Sequence, residues 1–212
     1  MHPSLKELIS LLDIEEIETN FFRGRHPAGR RKRLFGGQVI AQSLVAAEKT
    51  VETEKIPHSL HAYFIRPGSW KVPIVFEVER VRNGSSFSTR RVLAIQNGEA
   101  ILSMDISFQV KEDGLKHQMR EAPSFEPPKE DEMVDGLKQR PFLSFRENHK
   151  LKMEQKPQSP EQFIWLKANG RVSGKDLIHM ALLAYQSDEA LLSTARLPHR
   201  GKYISEQLQG AS

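Results

Sequence analysis

The chain has 212 residues, 38% of them hydrophobic, so it can hold one large domain or two small ones around a sizeable core. It carries 31 Lys plus Arg against 27 Asp plus Glu, both signs interspersed. That argues against wholesale disorder, and a net charge of +4 is not by itself a nucleic-acid binder's signature. Cys is absent, which excludes disulfides, thiolate metal sites and a cysteine nucleophile, while no apolar run approaches the ~20 residues of a membrane helix.

Residues 1–20 lack a basic start followed by an apolar block, so no signal peptide is expected. Within 4–18, Leu5, Leu8, Ile9, Leu11, Leu12 and Ile14 predict a short amphipathic helix. The basic tract Arg23–Arg33 comes next, broken by Pro27 and Gly29. Three readings are open for it. A solvated loop comes first, then a cradle for a polyanion such as the phosphates of a nucleotide, then a targeting tract. After Gly36-Gly37, Ile40, Leu44, Ala47 and Val51 fall at steps of four, three and four, an apolar helical stripe.

From His58 the period changes to two. Strands are predicted at His58–Arg66, about Val72–Arg82, about Ser86–Gln96 and about Glu99–Val110. Asn83-Gly84 and Asn97-Gly98 each sit between alternating apolar runs, a hairpin signal. Residues 35–110 thus predict a helix on a four-stranded antiparallel sheet, an α+β unit. Residues 111–160 hold six of the twelve prolines and read as a linker with one short helix. Beyond it lie a strand at Gln162–Ala168, a turn at Asn169-Gly170, and a helix from Leu177 to about Leu197 with Asp176 as its cap and Pro198 as its stop. Residues 199–212 are polar and patternless.

Asp188 is the most informative single residue. Leu177, Ala181, Ala184, Asp188, Leu191 and Ala195 share one helical face, so a carboxylate interrupts an apolar stripe. An unpaired carboxylate is costly to bury. Two readings are even on these residues. Asp188 sits wet at the stripe's edge, or it is buried with a raised pKa and acts as a general base toward water. The double glycine lets the backbone approach a ligand closely, and the following helix start suits an anion or a developing oxyanion; tight packing explains the same residues. His58 and His61 form an H-x-x-H, but three residues apart on a strand they diverge, so no metal site is expected. His179 reads as a satisfied polar contact. Ser85, Ser86 and Ser88 form no nucleophile elbow.

Several blocks carry a resemblance. They are residues 34–47 (LFGGQVIAQSLVAA), 58–68 (HSLHAYFIRPG), 82–90 (RNGSSFSTR), 163–170 (FIWLKANG), 184–192 (AYQSDEALL) and 197–199 (LPH). Together they resemble the type-II acyl-CoA thioesterase family, and Phe22-Arg-Gly-Arg is most similar to its vertebrate peroxisomal branch. The resemblance implies a double hotdog fold, in which each unit is a long helix wrapped by antiparallel sheet. Here it implies one complete hotdog and the first part of a second. The expected divisions are an N-terminal helix at 1–20, a first hotdog at 21–110, a linker at 111–160, a partial second hotdog at 161–198 and a divergent tail at 199–212.

The resemblance also implies hydrolysis of fatty acyl-CoA to free acid and coenzyme A, without cofactor or metal. In the family an Asp, a Ser or Thr, and a Gln hold the attacking water, and the Asp matches Asp188. The other two lie on strands that would follow Leu197-Pro198-His199, where this chain reads RGKYISEQLQGAS; Gln207 and Gln209 match no such context. A C-terminally truncated member with weak or absent hydrolysis is therefore expected. The alternative is a catalytically inactive acyl-CoA-binding or regulatory chain that associates with a full-length relative. The expected partners are acyl-CoA and either a second copy or such a relative, with no nucleic acid and no membrane span. The peroxisomal matrix is the compartment implied, or the cytoplasm if the absence of a Ser-Lys-Leu type ending is decisive.

Overall fold

The computed structural model describes residues 1–26, 34–52, 54–119, 121, 126, 128–129, 141–146, 157–174 and 176–200. Its centre is helix α2 (Gly36–Glu48), every residue of which from Gly36 to Ala47 is buried. The sequence explains how a helix can be covered on all sides. Val39, Ile40, Leu44 and Val45 fill space, while Gly36, Gly37, Ala41, Ala46 and Ala47 let neighbours come close.

Ahead of α2 lie α1 (Pro3–Leu12), β1 (Glu15–Glu18) and β2 (Phe21–Gly24); after it come β3 (Lys55–Phe64), β4 (Ile74–Asn83), β5 (Phe87–Gln96) and β6 (Glu99–Val110). The six strands form one antiparallel sheet in the order β1-β2-β4-β5-β6-β3. Ile74, Phe76 and Val78 on β4 and Leu102, Met104, Ile106 and Phe108 on β6 point into the core, as their alternation predicts. Pro57 has no N–H to donate, and the β3–β6 register shifts between Pro57 and Ser59.

Three elements depart from the sequence reading. Residues 15–18 are a strand and not the end of the first helix. Asn20, at φ 66°, turns β1 back onto β2, so Arg23 belongs to a strand rather than to the start of a loop. Residues 27–33 of the basic tract lie outside the described residues. Strand β7 (Phe142–Arg146) falls inside the segment read as a linker and pairs antiparallel with β8 (Ile164–Ala168). The expected helix Leu177–Leu197 is broken. α3 runs Asp176–Ser187, α4 runs Leu191–Ala195, and a short 3-10 turn covers Leu197–His199. Asp176 is thus the first residue of α3 and not a cap before it.

The two Asn-Gly pairs make different hairpins. Asn97 and Gly98, at φ 51° and 78°, form the two-residue turn between β5 and β6. Between β4 and β5 the connection is longer. Gly84 N–H donates to Phe87 O, and Asn83 Oδ1 accepts from Arg90 at 2.7 Å. Arg90 is only 1% exposed and also donates to Thr50 Oγ1, Thr50 O, Arg82 O and Thr89 O. Beside it the buried Lys55 ammonium donates to Glu52, Gly84 O and Ser88. Two buried cations thus lock the far end of α2 to the β4–β5 turn. A buried charge persists only when its donors are met in this way.

Helix α3 lies against α2, with Ala181, Leu182 and Ala184 entering the same core as Leu44 and Phe76. The N-terminus secures this arrangement. Leu5 and Leu8 of α1 are buried in that core, and His2 N–H donates to Asn169 O at 2.9 Å. Gly170, at φ 133°, ends the β8 segment so close to Met1 that a Cβ there would lie 2.5 Å from its Cα.

Candidate active site

The start of α2 lacks an ordinary cap. Phe35 precedes it and makes no side-chain cap bond, so the first N–H groups of the helix need acceptors from elsewhere. One acceptor comes from 151 residues away. Asp188 Oδ2 accepts the Gly37 N–H at 3.0 Å. The break after Ser187 makes this possible, because it leaves Asp188 on a turn at the end of α3 instead of midway along a continuous helix.

The approach is close enough to require both glycines. A Cβ on Gly36 would lie 2.5 Å from the Phe64 ring and 2.8 Å from Asp188 Oδ2. A Cβ on Gly37 would lie 2.0 Å from the carbonyl oxygen of Tyr185. Tyr185 itself packs its ring on Phe35, with centroids 4.8 Å apart, and stacks on Phe142 at 6.0 Å. Aromatic groups from three elements therefore surround the point where the two helices meet.

Asp188 is half-buried. Burial pushes its carboxyl above the usual Asp range, and the Gly37 N–H pulls part of the way back. A carboxyl raised by desolvation, aimed at the positive end of a helix, is a stronger base than a free surface Asp and is still ionisable. The arrangement can accept a proton from a water beside it, and the helix terminus favours negative charge on a neighbouring oxygen.

The other sequence candidates fall elsewhere. His58 is exposed and shares a 2.8 Å hydrogen bond with Ser107, while His61 packs on Tyr63. His179 is exposed and lines a groove of about 330 Å³ between α3 and β8. Among the described residues no cluster of His, Asp and Glu could hold a metal. Ser88 is buried as an acceptor for Lys55. Within the described part of the basic tract, Arg23 pairs with Glu15 at 2.6 Å, and Arg25 O accepts from Gln38 and Gln42. The Phe35–Tyr185–Phe142 contact was missed. Its signal was faint: aromatic residues directly before the double glycine and three residues before Asp188.

A long helix wrapped by antiparallel sheet, with a carboxylate at the helix start, defines the class: a hotdog-fold protein. A solved hotdog protein from Alicyclobacillus acidocaldarius, 19% identical, superposes with a TM-score of 0.67 over 84% of this chain and 68% of that one. The family identification is more specific. The acyl-CoA thioesterase N-terminal domain matches residues 23–109, and the acyl-CoA thioesterase family matches 141–212, beginning within the expected linker and running through the expected tail. Human acyl-coenzyme A thioesterase 8 is 36% identical over 218 residues, covering 92% of this chain and 68% of the relative. The acyl-CoA thioesterase II TesB2 of Mycobacterium marinum is also 36% identical, with a TM-score of 0.73 over 97% of this chain and 73% of that one. The chain belongs to the acyl-CoA thioesterase family.

Proposed function

We propose that this chain hydrolyses fatty acyl-CoA thioesters, with Asp188 as the general base. The observation that carries the reading is the half-buried Asp188 carboxylate held against the first turn of α2 at the Gly37 N–H. Water loses a proton to Asp188 as its oxygen bonds to the thioester carbonyl carbon. The carbonyl oxygen takes up negative charge near the positive end of α2. The tetrahedral species then collapses, the carbon–sulfur bond breaks, and the proton held by Asp188 goes to the departing thiolate. Free acid and coenzyme A result, with no cofactor in the balance.

Purified protein is mixed with a long-chain acyl-CoA, and free thiol is followed. Asp188→Asn should keep the shape of the site and lower kcat by roughly 10²-fold or more, the usual contribution of a general base. Wild-type turnover in that variant would remove Asp188 from the mechanism. Retention of acyl-CoA by the wild-type chain without thiol release would assign it the binding role instead. We extend the resemblance to the compartment as well. Co-fractionation with peroxisomal markers supports that assignment, and a purely cytosolic distribution refutes it. Among the described residues no helix is long and apolar enough to cross a membrane.

A further inference from the structure

We propose that Tyr185 is the positioning residue of this site: its ring, packed on Phe35 and on Phe142, fixes the end of α3 so that the Asp188 carboxylate meets the Gly37 N–H. The catalytic meaning of this rests on the reading of Asp188 as the base.

The argument starts from what the carboxylate needs. Asp188 follows the last residue of α3, on the turn that ends the helix, so α3 alone does not fix the direction of its carboxylate. Local bonds hold the turn together: Ser187 Oγ donates to Ala184 O, and Glu189 N–H to Gln186 O. None of these bonds reaches α2. Among the described residues, Tyr185 also fastens this turn to the start of α2, beside the Asp188 bond itself. Its backbone carbonyl lies against Gly37, where a Cβ would come within 2.0 Å. Its ring packs on Phe35, the residue that enters α2, at 4.8 Å and 60°. It also stacks on Phe142, the first residue of β7, at 6.0 Å and 24°. One side chain therefore ties α2, α3 and β7 together three residues before the carboxylate. A displacement near 1 Å of a catalytic group can cost on the order of 10²-fold in rate, so such a tie has kinetic weight.

The test uses the full chain in four forms: wild type, Tyr185→Phe, Tyr185→Ala and Asp188→Asn. It reads kcat and KM for acyl-CoA hydrolysis and the hydrogen-exchange rate of the Gly37 amide. Tyr185→Phe keeps the ring and both of its packing contacts, so it should stay closer to wild type than Tyr185→Ala in kcat and in Gly37 protection. Tyr185→Ala should lower kcat by roughly 10²-fold with little change in KM, and the Gly37 amide should exchange faster. If Tyr185→Ala does not fold, Phe35→Leu removes the same ring contact from the other side and carries the same expectation. Wild-type kcat and Gly37 protection in the ring-deleted variant would overturn the proposal. So would a Tyr185→Phe variant as impaired as Tyr185→Ala. Wild-type turnover in Asp188→Asn would sink the base reading alone, and the Gly37 amide would still report whether Tyr185 sets the contact.

Discussion

Helices α2 and α3 are similar in composition and opposite in surroundings. Both are Ala-rich and carry Leu and Gln among their core-facing residues. The first is buried from Gly36 to Ala47 beneath a six-stranded sheet, with α1 and α3 across its other faces. The second buries only Ala181, Leu182, Ala184 and Gln186, and among the described residues its neighbouring sheet has two strands. Leu183 is 67% exposed, and Leu191, beyond the break, 70%. Helices in proteins are held mainly by the packing of an apolar face and much less by propensity. The contrast therefore places most of the stabilisation on the α2 side. The candidate site is built across the divide. The fully wrapped helix supplies the N–H, and the partly covered one supplies the carboxylate.

The sharpest way to break this comparison is to remove what locks the wrapped unit. Arg90→Met should destabilise the chain by several kcal/mol, because Thr50 O, Arg82 O, Thr89 O and Asn83 Oδ1 would each lose a buried donor, at roughly 1–3 kcal/mol for a group left unsatisfied. Chemical denaturation measures it; a loss within about 0.5 kcal/mol, the range of ordinary surface changes, would show that the network adds nothing.

Next in size are three equal truncations. Leu44→Ala in α2 should cost about 2–5 kcal/mol and speed exchange of amides throughout β5 and β6. Leu182→Ala, nearly as buried, should release α3 while leaving those amides protected. Leu183→Ala should stay within about 0.5 kcal/mol. If Leu182→Ala exposes the β5 and β6 amides as strongly as Leu44→Ala, the two helices unfold as one cooperative unit. The difference between them would then be one of exposure only.

The same divide decided what could be read in advance. Strands β4, β5 and β6 were legible because each half-buried strand writes its own period of two, and the fourth strand's bounds, Glu99–Val110, were met to the residue. Helix α2 was legible from its stripe and its double glycine. Strand β1 was not, since Glu15, Glu16, Ile17 and Glu18 are all exposed and leave no alternation to find. Strand β7 was hidden in a Pro-rich, charged stretch, and its partner β8 lies about twenty residues further on. The break in the second helix was invisible because Asp188, Leu191 and Ala195 continue the helical spacing straight through it. Asp188 stood out as a carboxylate in an apolar stripe, and Gly36-Gly37 as a helix start. Their contact was not legible, because a pairing across 151 residues leaves no local pattern.

The smallest expected effect tests the carboxylate from the side of stability. Burial raises the Asp188 carboxyl in the folded chain, the Gly37 N–H offsets only part of that, and the unfolded chain titrates in the ordinary range. Between those two values the folded state binds more protons than the unfolded state, so stability falls as pH rises through that window. Above it the cost of the buried negative charge is fully present, and below it both states are protonated and the cost vanishes. Asp188→Asn carries no such charge, and its side-chain oxygen can still accept the Gly37 N–H. Its melting temperature relative to wild type should therefore rise as pH increases from below the carboxylate range to neutrality, then level off. A difference that is flat across that range, or that falls, would mean the carboxylate is as well solvated as a surface Asp. If the rise is found, the substitution that stabilises the fold at neutral pH is the one that removes the proposed base, as expected where a charge is held in place for chemistry at the expense of stability.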